Sequence, residues 1–380
     1  MINIAVQTVV HAKGSLRCAA KVAGYYCNLM GWHYGRPSHN TVCNWVKRLG
    51  LYALDHQGSK VGRYIGIIDE SIQIGREKCL LFLCIKIPAN YSRFRPLTMA
   101  DVEVLGVEVQ NSWKAEQVED FVKRRLAYHD QIDFQYMISD QGTNLVKALE
   151  QLNIDGVADC SHVLMNTVKK MLTGNVVLGT ITKFMGTYRR QNTLSERTAL
   201  CPPTLRDKDR FLRIFVILDW VKRIDSYWPK LTPAHRTSLK YLNNKRLRAF
   251  IAMLAQLREI ICLATGILKT SGINLQSQQA WFDRLTIYRK ENTLSKMAEK
   301  LIETVNEYFE RHLNLVKKYD RLICCSDIIE STFGRYKNKG GMKVISADVL
   351  AIPLYALKMD VEFVVKGLTT IFTEPDKSMA

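Results

Sequence analysis

Asp69, Asp140 and Glu330 are the residues whose types and settings could do chemistry together. Asp69 closes the apolar run Tyr64-Ile65-Gly66-Ile67-Ile68. Asp140 closes Tyr136-Met137-Ile138-Ser139 and is followed by Gln141-Gly142-Thr143-Asn144. Glu330 lies in Ser326-Asp327-Ile328-Ile329-Glu330-Ser331-Thr332-Phe333-Gly334-Arg335-Tyr336-Lys337, which reads as a helix. Two strand-end aspartates and a helical glutamate offer hard oxygen donors, the kind magnesium or manganese takes. Two such ions, about 3.5–4 Å apart, stabilise both the attacking and the leaving oxygen when a phosphodiester is displaced. In that arrangement Asp69 bridges both ions, while Asp140 and Glu330 each complete one side. Each acid also has an ordinary alternative. A strand can end at an Asp before a turn, Asp-x-Gly is common turn chemistry, and Asp327-x-x-Glu330 resembles a capping box. Glu70 and Asp327 are the nearest substitute acids.

The elements that must position these acids follow from hydrophobic period. Residues 64–69, 79–87, 102–109 and 134–139 read as strands, and 156–158 as a short fifth one. The run at 134–139 is continuously apolar, as expected of a central strand. Residues 113–128 form an amphipathic helix with Val118, Phe121, Val122 and Leu126 on one face, and 143–152 form the helix after the fourth strand. Three neighbouring strands followed by alternating helix and strand are similar to the ribonuclease H-like order. A basic, aromatic loop spans 88–96. From 163 to about 323 the pattern is helical without a convincing strand, clearest at 212–224, 246–268 and 293–319. Pro202-Pro203, Pro229 and Pro233 break it. This block separates Asp140 from Glu330, so it is an insertion if Glu330 returns to the strand ends.

Before the first strand, residues 4–10 and 15–23 read as short elements, the second a helix with Ser15 as N-cap. Another helix covers 38–49, with Gly50 as its expected end. Val42, Trp45, Val46 and Leu49 form its apolar stripe, and His39, Asn40, Asn44, Lys47 and Arg48 its polar side. This is the pattern of a helix-turn-helix whose second helix offers polar side chains to base edges in the major groove. The expected organisation is therefore a helix-turn-helix domain at 1–60, the first part of an α/β ribonuclease H-like core at 61–162, a basic all-α insertion at 163–323 and the second part of the core at 324–380.

Composition bounds the function class. The chain has 380 residues, 47% hydrophobic and 24% charged, which suits a globular protein of two or three domains. Its net charge of +18 is unevenly placed. Residues 1–64 hold 8 Lys/Arg against 1 Asp/Glu, 65–162 hold 10 against 15, 163–325 hold 29 against 13, and 326–380 hold 7 against 7. The basic excess thus lies outside the segment carrying Asp69 and Asp140, as expected if flanking regions grip a polyanion while carboxylates recruit metal. Ten cysteines without a CxxC pair read as reduced thiols of a cytoplasmic protein. No uninterrupted apolar stretch reaches about 18 residues, so no membrane span is expected, and no signal-peptide pattern opens the chain.

With these features in place, the chain resembles a DDE-type DNA transposase of the bacterial insertion-sequence kind over nearly its whole length. The helix Pro37-Ser38-x-x-Thr41-Val42-x-x-Trp45-x-x-Arg48-x-Gly50 looks like those of insertion-sequence transposases. Asp69, Asp140 and Glu330 match the strand, strand and helix positions of the triad. Asp159-Cys160-Ser161-His162 fits the family's Cys/Asp-x-x-His motif, and the long helical insertion is similar to that of hAT and Mutator-like enzymes. The chain lacks the Tyr-x-x-Arg-x-x-x-Glu pattern of one large transposase group, having Ile323 and Ser326 at the Tyr and Arg positions.

The resemblance implies metal-dependent nicking at transposon ends, then strand transfer of the freed 3′-hydroxyl into target DNA. It implies two Mg2+ or Mn2+ ions held by Asp69, Asp140 and Glu330. It also implies a homodimer or larger assembly on double-stranded DNA in the bacterial cytoplasm, at the nucleoid, with no membrane partner. Asp159 and His162 are expected to support the site. Candidate phosphate contacts are Arg189, Arg190, Lys222, Arg223, Lys245, Arg246 and Arg248 in the insertion, and Arg335 and Lys337 after Glu330. Trp220, Trp228 and Trp281 could stack on an unpaired base, although core burial is the commoner fate of a Trp. Two alternatives stay open: a structure-selective, resolvase-like nuclease of the same fold, and a catalytically silent DNA-binding protein derived from a transposase.

Overall fold

Apolar runs too short for helices pair edge to edge into one five-stranded mixed sheet. The computed structural model describes residues 1–56, 60–74, 76–87, 97–129, 131–205, 211, 213–337 and 347–372. The expected basic loop at 88–96 lies outside them. The strands are β1 (Gly62–Ile74), β2 (Glu77–Lys86), β3 (Glu103–Gln110), β4 (Ile132–Ser139) and β5 (Gly156–Ala158), in the order β3-β2-β1-β4-β5. β2 runs antiparallel to both β1 and β3, whereas β4 lies parallel to both β1 and β5. The chain is therefore of mixed α/β class. Side chains of a strand alternate between faces. Tyr64, Ile68, Leu80, Phe82, Cys84 and Met137 pack with Val118, Phe121 and Val122 of α4 (Ala115–Leu126) and Leu145 and Leu149 of α5 (Thr143–Gln151).

The chain divides into two compact units, each described separately. One comprises Met1–Asp159 with Cys324–Ala380, the other Cys160–Ile323. The first unit holds the sheet together with α1 (Ile2–Val10), α2 (Leu16–Leu29), α3 (His39–Asp55), α13 (Asp327–Lys337) and α14 (Val361–Thr369). The three N-terminal helices thus cluster with the sheet. α3 does not stop at Gly50 but continues to Asp55, and every residue from Leu49 to Leu54 is buried. The reason is a close approach: a Cβ on Gly50 would stand 1.7 Å from the Leu350 carbonyl oxygen. Gly50 is a packing glycine, not a cap. β1 likewise outlasts its expected end at 69, passing through a bulge between Asp69 and Ile72 before it stops.

The second unit is helical: α6 (Cys160–Leu172), α7 (Val176–Asn192), α8 (Ile214–Tyr227), α9 (Pro233–Ser238), α10 (Lys245–Ser271), α11 (Leu275–Glu291) and α12 (Lys296–Tyr319). Pro233 starts α9 behind the N-cap Thr232 rather than merely breaking the chain. Among the described residues, α10 alone is long and apolar enough to cross a membrane by length and composition. Its residues Leu254, Leu257, Ile260, Ile261 and Ala264 are buried, and it packs against α6, α7, α8, α11 and α12, which makes it the central helix of this unit. All ten cysteines are free thiols, six of them buried.

Two outcomes are expected. Gly50→Ala should cost at least about 1–3 kcal/mol in chemical denaturation, because the added methyl meets backbone that cannot rotate aside. The second concerns His312, 2% exposed on α12, whose Nδ1 lies 2.7 Å from the Tyr308 carbonyl oxygen. Burial, with help from the Arg311 charge, holds its pKa below the ordinary histidine range, against the opposing pull of the Tyr308 hydrogen bond. Above about pH 6.5 folded and unfolded chains both carry the neutral ring. Below that, the unfolded chain takes up a proton the folded chain resists, so stability falls as the pH drops toward the folded pKa. Calorimetry from pH 7.5 down to 5.5, values that bracket about 6.5, should show a falling midpoint, and His312→Leu should flatten that fall.

Candidate functional site

The β1–β4 pairing brings two of the candidate acids side by side. Gly66 is in register with Met137 and Ile67 with Ile138, so two further steps along both strands bring Asp69 level with Asp140. Asp69 shares a face with Ile65 and Ile67, opposite the face that packs under α4 and α5. It is 4% exposed. β4 ends at Ser139 while β1 runs on, paired with β2, so Asp69 sits where β1 outruns its parallel neighbour rather than at a strand end. Its charge is felt nearby: burial, and then the Asp69 carboxylate, push the Cys79 thiol far above the usual thiol range. Glu70, the substitute acid, pairs instead with Lys78 at 3.2 Å.

Asp140 is held by local backbone. Its Oδ1 accepts the Gly142 N–H at 2.8 Å, closing a turn in which Gln141 takes a positive φ of 67°. That left-handed conformation is costly for a residue with a Cβ, and such strain gathers at functional turns. The next turn is tied down as well, since the Asn144 side-chain amide donates to the Trp113 carbonyl at 3.2 Å.

Glu330 is half-buried in α13, and α13 packs on β1. The helix begins at Asp327, so Glu330 is its fourth residue, in the first turn but one past the third-residue position that a capping box requires. Ile329, Thr332, Phe333 and Tyr336 bury the opposing face of the helix. The sequence offers no sign of what holds the start of this helix. Asp159, 1% exposed, accepts through one carboxylate oxygen from the Ser326 N–H at 2.5 Å and the Ser326 hydroxyl at 2.8 Å. Its own N–H donates to the Ser139 carbonyl at 2.9 Å. His162 lies in the first turn of α6, half-buried.

The expected DNA contacts separate into two groups. His39, Asn40 and Asn44 are exposed on α3 and Lys47 is partly so; Arg190, Lys222, Lys245 and Arg246 are exposed in the helical unit. The other arginines are engaged by partners within the protein, although Arg48 and Arg223 are themselves exposed. Arg48 donates to the carbonyls of Gly367 and Thr370 at the end of α14, Arg189 to Pro202 and Arg223 to Cys201. Arg248 forms a two-pronged ion pair with Asp225, and Arg335 stacks over the Tyr355 ring at 4.2 Å. Lys337 is the last residue of α13, and its side chain is outside the described atoms. Trp220 and Trp281 are core, with their indole N–H groups donating to Leu200 and Asn306, while Trp228 is half-buried.

The donor set of Asp69, Asp140 and Glu330 is all carboxylate oxygen, the chemistry that suits magnesium or manganese. Among the described residues, no three His, Cys, Asp or Glu side chains stand close enough to hold an ion by themselves. An ion here would take much of its shell from water and phosphate, as magnesium commonly does. The strained turn gives a test of this local geometry: Gln141→Gly should leave folding stability unchanged or raise it by up to about 1 kcal/mol, and Gln141→Val should lower it by about 1–2 kcal/mol. Urea melts of the two variants would measure this, and a destabilised glycine variant would show that the Gln141 side chain itself matters. Compared with known proteins, the chain matches no family model and no curated protein.

Proposed function

We propose that the chain is a DDE-type DNA transposase with a ribonuclease H-like core, acting through Asp69, Asp140 and Glu330. The observation that carries this reading is the register of β1 and β4. It sets Asp69 and Asp140 level on neighbouring parallel strands, and the helix of the third acid packs on β1 from 190 residues further along the chain. The strand order β3-β2-β1-β4-β5, with one antiparallel half and one parallel half, supports the same fold.

In this reading each part of the chain has a task. Asp69 is held within a paired strand, on the sheet face opposite α4 and α5. Asp140 is aimed by the Gly142 N–H. Glu330 arrives on α13 and completes the set. Magnesium or manganese bound by the three acids would supply Lewis-acid stabilisation of the oxyanions at phosphorus. The exposed side chains His39, Asn40, Asn44 and Lys47 of α3 meet base edges and phosphates. Arg190, Lys222, Lys245 and Arg246 are available to phosphate as sequence-independent grip. Work on paired transposon ends requires a homodimer or larger assembly.

The test is nicking and joining of DNA that carries the sequences bordering the protein's own coding region, with magnesium or manganese. Wild type should cut and then join ends. Asp69→Ala, Asp140→Ala and Glu330→Ala should each lose activity by at least about 100- to 1,000-fold, the scale of removing one electrostatic group from a phosphoryl or acyl site. Gel-shift affinity for the same DNA should persist in all three. An active Glu330→Ala would remove that acid from the site. Cleavage of branched DNA without joining would favour a resolvase-like nuclease, and binding without any cleavage by wild type would make the chain a DNA-binding relic.

A further inference from the structure

We propose that Asp159 is the positioning residue for Glu330, a buried carboxylate latch that fixes the start of α13 at the ends of β4 and β5. The inference rests on the reading of Glu330 as the third acid of the site.

Three links make the latch. The Asp159 N–H donates to the carbonyl of Ser139, the residue immediately before Asp140. One Asp159 oxygen then accepts both the backbone N–H and the hydroxyl of Ser326, at 2.5 and 2.8 Å. Ser326 in turn offers its carbonyl to the Ile329 N–H at 2.8 Å, the first bond of the helix. Glu330 is the next residue. The two acids thus communicate through a short chain of hydrogen bonds that crosses 167 residues of sequence at one point, the Asp159–Ser326 contact.

Burial distinguishes this role from a direct one. Asp159 is 1% exposed and Ser326 2%, so the contact between them is shielded from solvent. A buried carboxylate is costly unless its oxygens are satisfied by donors. Here the donors come from the residue that opens α13, and the positive end of the helix dipole adds to the attraction. The carboxylate and the helix start therefore stabilise each other. Asparagine at 159 would keep the shape but lose the charge that strengthens both bonds.

The experiment uses the full-length chain as wild type, Asp159→Asn, Ser326→Ala and the double variant. Hydrogen exchange across residues 326–330 reads the latch directly. Manganese titration of DNA cleavage, alongside affinity for the same DNA, reads its effect on the site. Asp159→Asn should speed exchange at 326–330 on the order of 10- to 100-fold, the range of a lost charge-assisted hydrogen bond, with β1 and β4 unchanged. Ser326→Ala, which keeps the backbone donor, should shift exchange less in the same direction. The double variant should exchange no faster than Asp159→Asn alone. The manganese concentration for half-maximal cleavage should rise in the same order while DNA affinity holds.

Unchanged exchange in Asp159→Asn, or single effects that add in full, would overturn the latch. So would loosened exchange with an unmoved manganese requirement, which would leave Asp159 a merely structural residue. If Asp159→Asn does not fold, Ser326→Ala carries the same comparison in milder form. A wild-type chain that never cleaves would sink the transposase reading, yet the exchange pattern would still decide whether Asp159 holds the helix.

Discussion

The parallel hydrogen-bond register between β1 and β4 is the constraint on which the rest of the first unit depends. A slip of one residue would turn every side chain of one strand to the opposite face. Ile68 would leave the core under α4 and α5 if β1 slipped, or Met137 if β4 did, and in either case Asp69 and Asp140 would no longer stand level. The apolar alternation on both faces makes such a slip costly, so burial and the placement of the acids are enforced by the same pattern. Beyond Asp69 the pairing is one-sided, because β4 has ended while β1 continues against β2.

The helix that brings Glu330 depends on that arrangement in turn. α13 covers β1, and its start is tied to the chain that leaves β5. The sheet thus sets where the helix can land, and a single buried carboxylate sets where it begins. The N-terminal helices are built into the same unit through the second half of α3, which is buried on all sides against residues 347–356 and α14.

Legibility from sequence followed the range of the interaction. The strands and the positions of Asp69 and Asp140 could be read because apolar alternation is local, and the long helices of the second unit for the same reason. Gly50 misled because a glycine that stops a helix and one that admits a neighbouring carbonyl look alike until Leu350 is in view. The end of β1 misled because the polar residues after Asp69 resemble a turn, whereas the chain accommodates them with a bulge. The role of Ser326 was invisible, since its partner is 167 residues away. Arg48 shows the same limit: its charge could be read, but not the carbonyls of α14 that it caps more than 300 positions later. A basic sequence reveals how many cations exist, not how many have already been taken up by the protein's own carbonyls, carboxylates and rings.

α3 has one further consequence. It is a single unbroken helix of 17 residues, polar and exposed at its beginning and buried in the core at its end. At about 1.5 Å per residue it is a rod of roughly 25 Å with no joint along it. If its exposed end reads a stretch of DNA, the distance from the bases read to the bond cut is a built-in ruler. Such a protein would tolerate changes in the sequence it reads more readily than an added or deleted base pair between the reading and cutting positions. Each added pair moves the scissile bond by about 3.4 Å and turns it around the duplex axis.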